Sequence, residues 1–114
     1  KLFMNLETSP AHCIPTVGGM QGSFAALLAA ARSNPDKPYT LFIDPGFPVQ
    51  KSQLHLMGVP FKSFDILNYR GDKLKAKLEE FLKEENICSI CYSSPNNPSW
   101  FCFTEEELQT IGKH

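Results

Sequence analysis

The chain has 114 residues, 42% of them hydrophobic and 20% charged, with a formal net charge of −1. That describes a globular protein of one domain and supplies neither a basic field for nucleic acid nor a polybasic patch for a membrane surface. The longest apolar run, Phe24 to Ala31, falls well short of the ~20 residues of a membrane span, and no secretory signal pattern is visible, so a cytoplasmic location is expected.

Lys1 rather than Met opens the chain, so the natural polypeptide is expected to begin earlier. Residues 1–13 carry little pattern and read as an irregular lead-in. Ile14-Pro15-Thr16-Val17 is a short strand at best. After Gly18-Gly19-Met20-Gln21-Gly22, the residues Met20, Phe24, Leu27, Leu28 and Ala31 recur at helical spacing through an alanine-rich stretch, which predicts a helix ending near Asn34-Pro35. Thr40-Leu41-Phe42-Ile43 reads as a buried strand, and Asp44-Pro45-Gly46-Phe47-Pro48 as a turn leading into a helix with Pro48 in its first turn. That helix turns Leu54 and Met57 inward and stops at Gly58.

Val59 to Ile66 predicts the next strand, with Pro60 counting against its first residues. Asp72 opens an amphipathic helix with Leu74, Leu78, Phe81 and Leu82 on one face and charges on the other. Ile87 to Tyr92 is a further strand. Thr104-Glu105-Glu106-Glu107 opens the last helix, with Thr104 and Glu107 spaced as a capping box. Strands alternating with helices in this way predict a three-layer α/β fold, a mainly parallel sheet with helices on both faces, and one domain over residues 1–114. Four parallel strands are few to cover both faces and both edges. The chain is therefore expected to be part of a larger domain.

Cys88 and Cys91 form a CxxC, but inside a predicted strand, where residues three apart face opposite sides. No second CxxC and no closely spaced histidine pair completes a metal set. Cys13, Cys88, Cys91 and Cys102 are expected to be buried free thiols, and His12, His55 and His114 surface residues. No metal is expected.

Three stretches could carry chemistry. The glycine turn at 18–22 opens a helix, where free N–H groups and the helix dipole favour an anion; it lacks a full dinucleotide or triphosphate spacing, so a single phosphate suits it best. Read by itself it is equally a tight turn with packing reasons. Phe47, just past a strand end, could stack on a flat heterocycle or belong to the core. Tyr92-Ser93-Ser94-Pro95-Asn96-Asn97-Pro98 crosses from a strand end towards a helix, held stiff by its prolines. Its asparagine amides can donate to and accept from a ligand, or merely make a turn. By the parallel reading all three lie along one edge of the sheet, the edge where open α/β sheets bind ligands.

The order of a glycine turn and helix, Asp-Pro-Gly-Phe-Pro, a short helix ending in Gly58-Val59-Pro60, Ser94-Pro95-Asn96-Asn97-Pro98 and Thr104-Glu105-Glu106-Glu107-Leu108 resembles the cofactor-binding large domain of class I/II aminotransferases, pyridoxal-phosphate enzymes of fold type I. The resemblance runs over nearly the whole chain. It implies that backbone groups of Gly18, Gly19 and Met20 hold the phosphate of pyridoxal 5′-phosphate, that Phe47 stacks on its pyridine ring, and that Asn97 hydrogen-bonds the ring oxygen. It also implies a cis Asn97–Pro98 bond. The activity implied is transfer of an amino group between an amino acid and a 2-oxo acid, in a homodimer whose sites lie between subunits.

One departure is local: Ser99-Trp100-Phe101 stands where the family usually has Thr-Gly. Another is larger. The family's Schiff-base lysine, the aspartate on the pyridine nitrogen and the arginine for the substrate carboxylate lie beyond the matched stretch, and no lysine here has a matching context. No catalytic residue is assigned within these residues, and the chain alone is expected not to transaminate. Three other readings remain open at this point. They are a ligand-sensing, aminotransferase-like domain of a transcription regulator, a pyridoxal-phosphate lyase or decarboxylase on the same scaffold, and a nucleotide-binding module with Asp44 as its acidic residue.

Overall fold

Three apolar runs form the sheet: β1 (Tyr39–Asp44), β2 (Phe61–Asp65) and β3 (Ile87–Cys91). A computed structural model describes residues 7–84 and 86–114; within the notional lead-in, residues 1–6 lie outside it. The strands are all parallel in the order β2-β1-β3. Four helices alternate with them: α1 (Gly18–Ser33), α2 (Val49–Leu56), α3 (Asp72–Glu84) and α4 (Glu105–Gly112). Among the described residues no helix is long and apolar enough to cross a membrane.

β1 sits in the middle and divides the core by alternation, as successive side chains of a strand must. Leu41 and Ile43 point into one cluster with Phe64, Ile66, Leu74, Leu78, Phe103 and Ile111. Phe42 points into the other, with Leu27, Ala31, Leu54 and Val59. So α3 and α4 cover one face and α1 and α2 the other, and the expected α/β layering is present. On α3 the spacing Leu74, Leu78, Phe81, Leu82 makes its apolar stripe, with Leu74 and Leu78 fully buried.

Among the described residues the sheet has three strands rather than four. Ile14 and Val17 are 86% and 88% exposed and lie in no strand: among the described residues this β-branched run around Pro15 has no neighbouring strand to pair with. The second strand begins at Phe61, since Pro60 has no N–H for the ladder.

A bulge decides the faces of β3. Tyr39 pairs with Ile87, but Thr40 pairs with Ser89, leaving Cys88 as the extra residue. The parity of the strand shifts there. Ile87 and Ile90 pack on the α3/α4 cluster, whereas Cys88 and Cys91 both pack on the α1/α2 cluster, not on opposite faces as strict alternation requires. At the bulge the fully buried hydroxyl of Thr40 meets that of Ser89 at 3.0 Å. All four cysteines are free, but Cys13 and Cys102 are exposed and Cys88 and Cys91 only half-buried, so burial of all four is corrected. No group of three or more metal-ligating side chains gathers among the described residues.

Helix ends follow the sequence closely. α2 closes in a Schellman turn, with Gly58 N–H donating to His55 O (3.1 Å) and Val59 N–H to Leu54 O (2.9 Å), while Gly58 takes φ +66°. α4 opens with the full capping box: Thr104 Oγ1 accepts from Glu107 N–H, and Glu107 Oε2 accepts from Thr104 N–H.

Because Leu78 is fully enclosed between α3 and the sheet, Leu78→Ala is expected to cost about 2–5 kcal/mol. The check is urea denaturation, where the midpoint should fall with the slope unchanged.

Candidate functional site

The strand order places a switch point between β1 and β3. From β1 the chain turns to α2 on one face and on to β2; from β3 it turns to α4 on the other face. Two connections that leave neighbouring parallel strands in opposite directions open a crevice outside their carboxyl ends. A cleft of ≈ 60 Å³ lies there, lined by Phe42, Asp44, Phe47 and Gln50 on one side and by Cys91, Tyr92 and Ser93 on the other.

Phe47 lies on this cleft and is 44% exposed, so its ring is a surface and not a core element. Asp44 ends β1 and pairs with Lys51 from the first turn of α2. The Lys51 ammonium also stands 5.4 Å from the Phe42 ring centroid, a cation–π contact beneath the crevice. Burial, reinforced by Asp44 and opposed by Lys51, pushes the Cys91 thiol up. The crevice therefore presents a neutral thiol rather than a nucleophile.

Two turns form the walls, and Asn96 joins them. It is 5% exposed, whereas its neighbour Asn97 is on the surface. Its Nδ2 donates to the carbonyl of Pro45, in the turn after β1, and to Ser93 Oγ at 3.1 Å. Its Oδ1 accepts from the backbone and hydroxyl of Ser99, and its backbone exchanges bonds with Phe101 O (2.8 Å) and Trp100 N–H (2.9 Å). Both amide atoms and both backbone groups are thus used inside the protein. Asn97 and Pro98 are joined by a cis bond, as expected; Asp44–Pro45 and Ser94–Pro95 are cis as well.

The loop closed by Asn96 holds Trp100 at φ +65°, the left-handed region, with the indole 88% exposed. A side chain there is disfavoured by roughly 1–2 kcal/mol, which gives the physical reason for glycine at this point in the resembling motif.

The far end of the loop is anchored by charge. Glu107, 3% exposed, accepts from Arg70 Nε (2.7 Å) and Nη2 (2.8 Å), from Gly71 N–H (2.9 Å) and from Thr104 N–H (2.9 Å). Arg70 also donates to Cys102 O at 3.1 Å and lies over the Phe101 ring. The Arg70 bonds, opposed by burial and helped by the Gly71 and Thr104 N–H groups, hold the Glu107 carboxyl down at about 2.

The glycine turn stands apart. It opens α1 with no capping side chain on its N–H groups and no acidic residue in its first turn. Gly18 has φ +78°, and open space surrounds the points where Gly18 and Gly19 would carry a Cβ. Gly22 differs: a Cβ there would sit 3.2 Å from Thr16 Oγ1, so a side chain at this point would have to displace the Thr16 hydroxyl by a few tenths of an ångström. α1 runs back towards the start of β1, so its N-terminus points to the carboxyl edge of the sheet. Gly18 lies nine residues before Leu27, the first buried residue of the helix, or about 13 Å further along the axis. The cleft thus includes Phe47, adjoins the turn bearing Asn97, and does not include Gly18, Gly19 or Met20.

Sequence reasoning assigned Asn97 and passed over Asn96, although the doubled asparagine was the available signal. Asp44 and Tyr92 had been singled out only within other readings, as the acidic residue of a nucleotide site and as the start of the asparagine stretch, and Gln50, in the first turn of α2, had no signal.

No family model matches the chain. Over 67 residues, 59% of its length, it is 28% identical to human tyrosine aminotransferase. The matched stretch spans 15% of that protein. This is a partial similarity to an aminotransferase.

Two measurements test the anchors of the loop. The folded pKa of Glu107 lies below its ordinary 4.5, so its stabilisation is complete above about pH 5 and is lost as pH falls towards 2. Glu107→Gln should cost roughly 2–3 kcal/mol at pH 7 and flatten the acid limb of a melting-temperature profile. Trp100→Gly relieves the left-handed backbone and removes an exposed ring, so it should raise stability by about 0.5–1 kcal/mol in thermal melts.

Proposed function

We propose that this chain is the cofactor-binding part of a pyridoxal-phosphate-dependent aminotransferase, which moves an amino group between an amino acid and a 2-oxo acid as a homodimer. The observation that carries the reading is the crevice at the switch point, where an exposed aromatic ring lines the cleft and the adjoining twin-asparagine turn is tied by Asn96 to the turn that bears the ring. The partial similarity to tyrosine aminotransferase agrees with it.

In this reading the uncapped N–H groups of Gly19 and Met20, with Gly18, receive the phosphate. Phe47 offers its face to the pyridine ring, and the Asn97 amide donates to the ring oxygen. The fit is favourable in two respects: no acidic side chain stands in the first turn of α1, and no side-chain atom fills the space beside Gly18 and Gly19. When bound, the cofactor supplies an electron sink for the bonds around the substrate α-carbon. The part of these residues is to bind and orient it. The lysine that carries the cofactor and moves the proton would come from outside these 114 residues.

Pyridoxamine 5′-phosphate is the suitable probe, because its amine cannot form adventitious imines with surface lysines. Trp100, the one tryptophan of the chain, reports on the loop by fluorescence. Saturable binding that Phe47→Ala weakens about tenfold is the expected result. Absence of saturable binding, or equal binding by Phe47→Ala, would refute the proposal.

A further inference from the structure

The crevice depends on two turns that belong to different strands and are separated by about fifty residues of chain. Each ends a strand whose neighbouring connection departs to the opposite face, so neither turn is held by the helix that follows the other. A polar side chain 95% buried at this point has to satisfy its groups within the protein. Asn96 does so by reaching across: its Nδ2 donates to Pro45 O, 51 residues away, while its Oδ1 closes its own loop on Ser99. The carbonyl it holds is two residues before Phe47. The backbone it belongs to leads directly into Asn97.

We propose that Asn96 is a positioning residue of the crevice, fixing the Phe47 turn against the Asn97 turn so that the two grip opposite parts of one flat ring. This rests on the cofactor reading above. It adds a distinct role for each asparagine of the pair: the exposed one faces the ligand, and the buried one sets the spacing. An amide is required for both halves of the role. A carboxylate could accept from Ser99 but could not donate to Pro45, and a hydroxyl is too short to span to Pro45 while bonding Ser99.

Asn96→Asp separates the two halves, since it keeps the acceptor for Ser99 and removes the donor to Pro45. Pyridoxamine 5′-phosphate affinity is measured for the wild-type chain, Asn96→Asp, Phe47→Ala and the double variant. The expected result is a loss of about tenfold for Asn96→Asp, with the double variant no weaker than Phe47→Ala alone, because the asparagine acts through the placement of that ring. A general loss of structure would instead add to the effect of Phe47→Ala. Additive effects, or an Asn96→Asp affinity within twofold of wild type, overturn this inference and leave the cofactor reading standing. No binding by the wild-type chain overturns the cofactor reading and this inference with it. Should Asn96→Asp fail to fold, Asn96→Ser carries the same expectations in the same cycle.

Discussion

Everything in this fold is referred to β1. Among the described residues it is the one strand paired on both sides, and its residues Thr40, Leu41, Phe42 and Ile43 are all buried. A strand in that position needs apolar side chains on both faces, and a continuous run of them is what distinguishes it from a strand with one wet face. Its alternation sorts the helices, since Leu41 and Ile43 require α3 and α4 while Phe42 requires α1 and α2. Once helices leave the carboxyl ends of β1 and β3 in opposite directions, the crevice between those ends follows without any residue being spent on it.

That dependence explains which features could be read from the chain and which could not. Buried strands and amphipathic helices are written in local periodicity, so β1, α1, α3 and the capping box of α4 were legible at nearly their observed bounds. The short run Ile14–Val17 has the composition of a strand and no partner, and pairing is not a local property. The bulge at Cys88 is likewise invisible, because it is defined against Tyr39 and Thr40 on another strand. It moved Cys91 to the same face as Cys88, and so to the crevice. Phe47 was ambiguous between core and surface until the turn after β1 was seen to lift it out.

The turn after β3 shows the same division. The proline-flanked asparagines announced a stiff turn at the strand end, but sequence could not say which amide faced inward. Burial settles that: Asn96 is a cross-link and Asn97 is available. Nor could it reveal that Glu107, already the third residue of a capping box, also takes both arms of Arg70. A carboxylate that accepts four bonds while 3% exposed can stay ionised only because every oxygen is answered. In return it ties the starts of α3 and α4 together and holds the end of the crevice loop through Cys102.

The loop between these two anchors is therefore over-determined. Asn96 fixes its beginning, Arg70 and Glu107 fix its end at Cys102, and on the five-residue path between them Trp100 takes a left-handed backbone. Glycine would meet that demand without a Cβ penalty. Tryptophan meets it only because the surrounding bonds outweigh the strain, and backbone strain persists where neighbouring structure imposes it. The geometry of the loop is thus set by its ends and not by the residue at its tip. This is why the departure from the resembling motif at Ser99-Trp100 leaves both the cis Asn97–Pro98 turn and the Asn96 bridge intact.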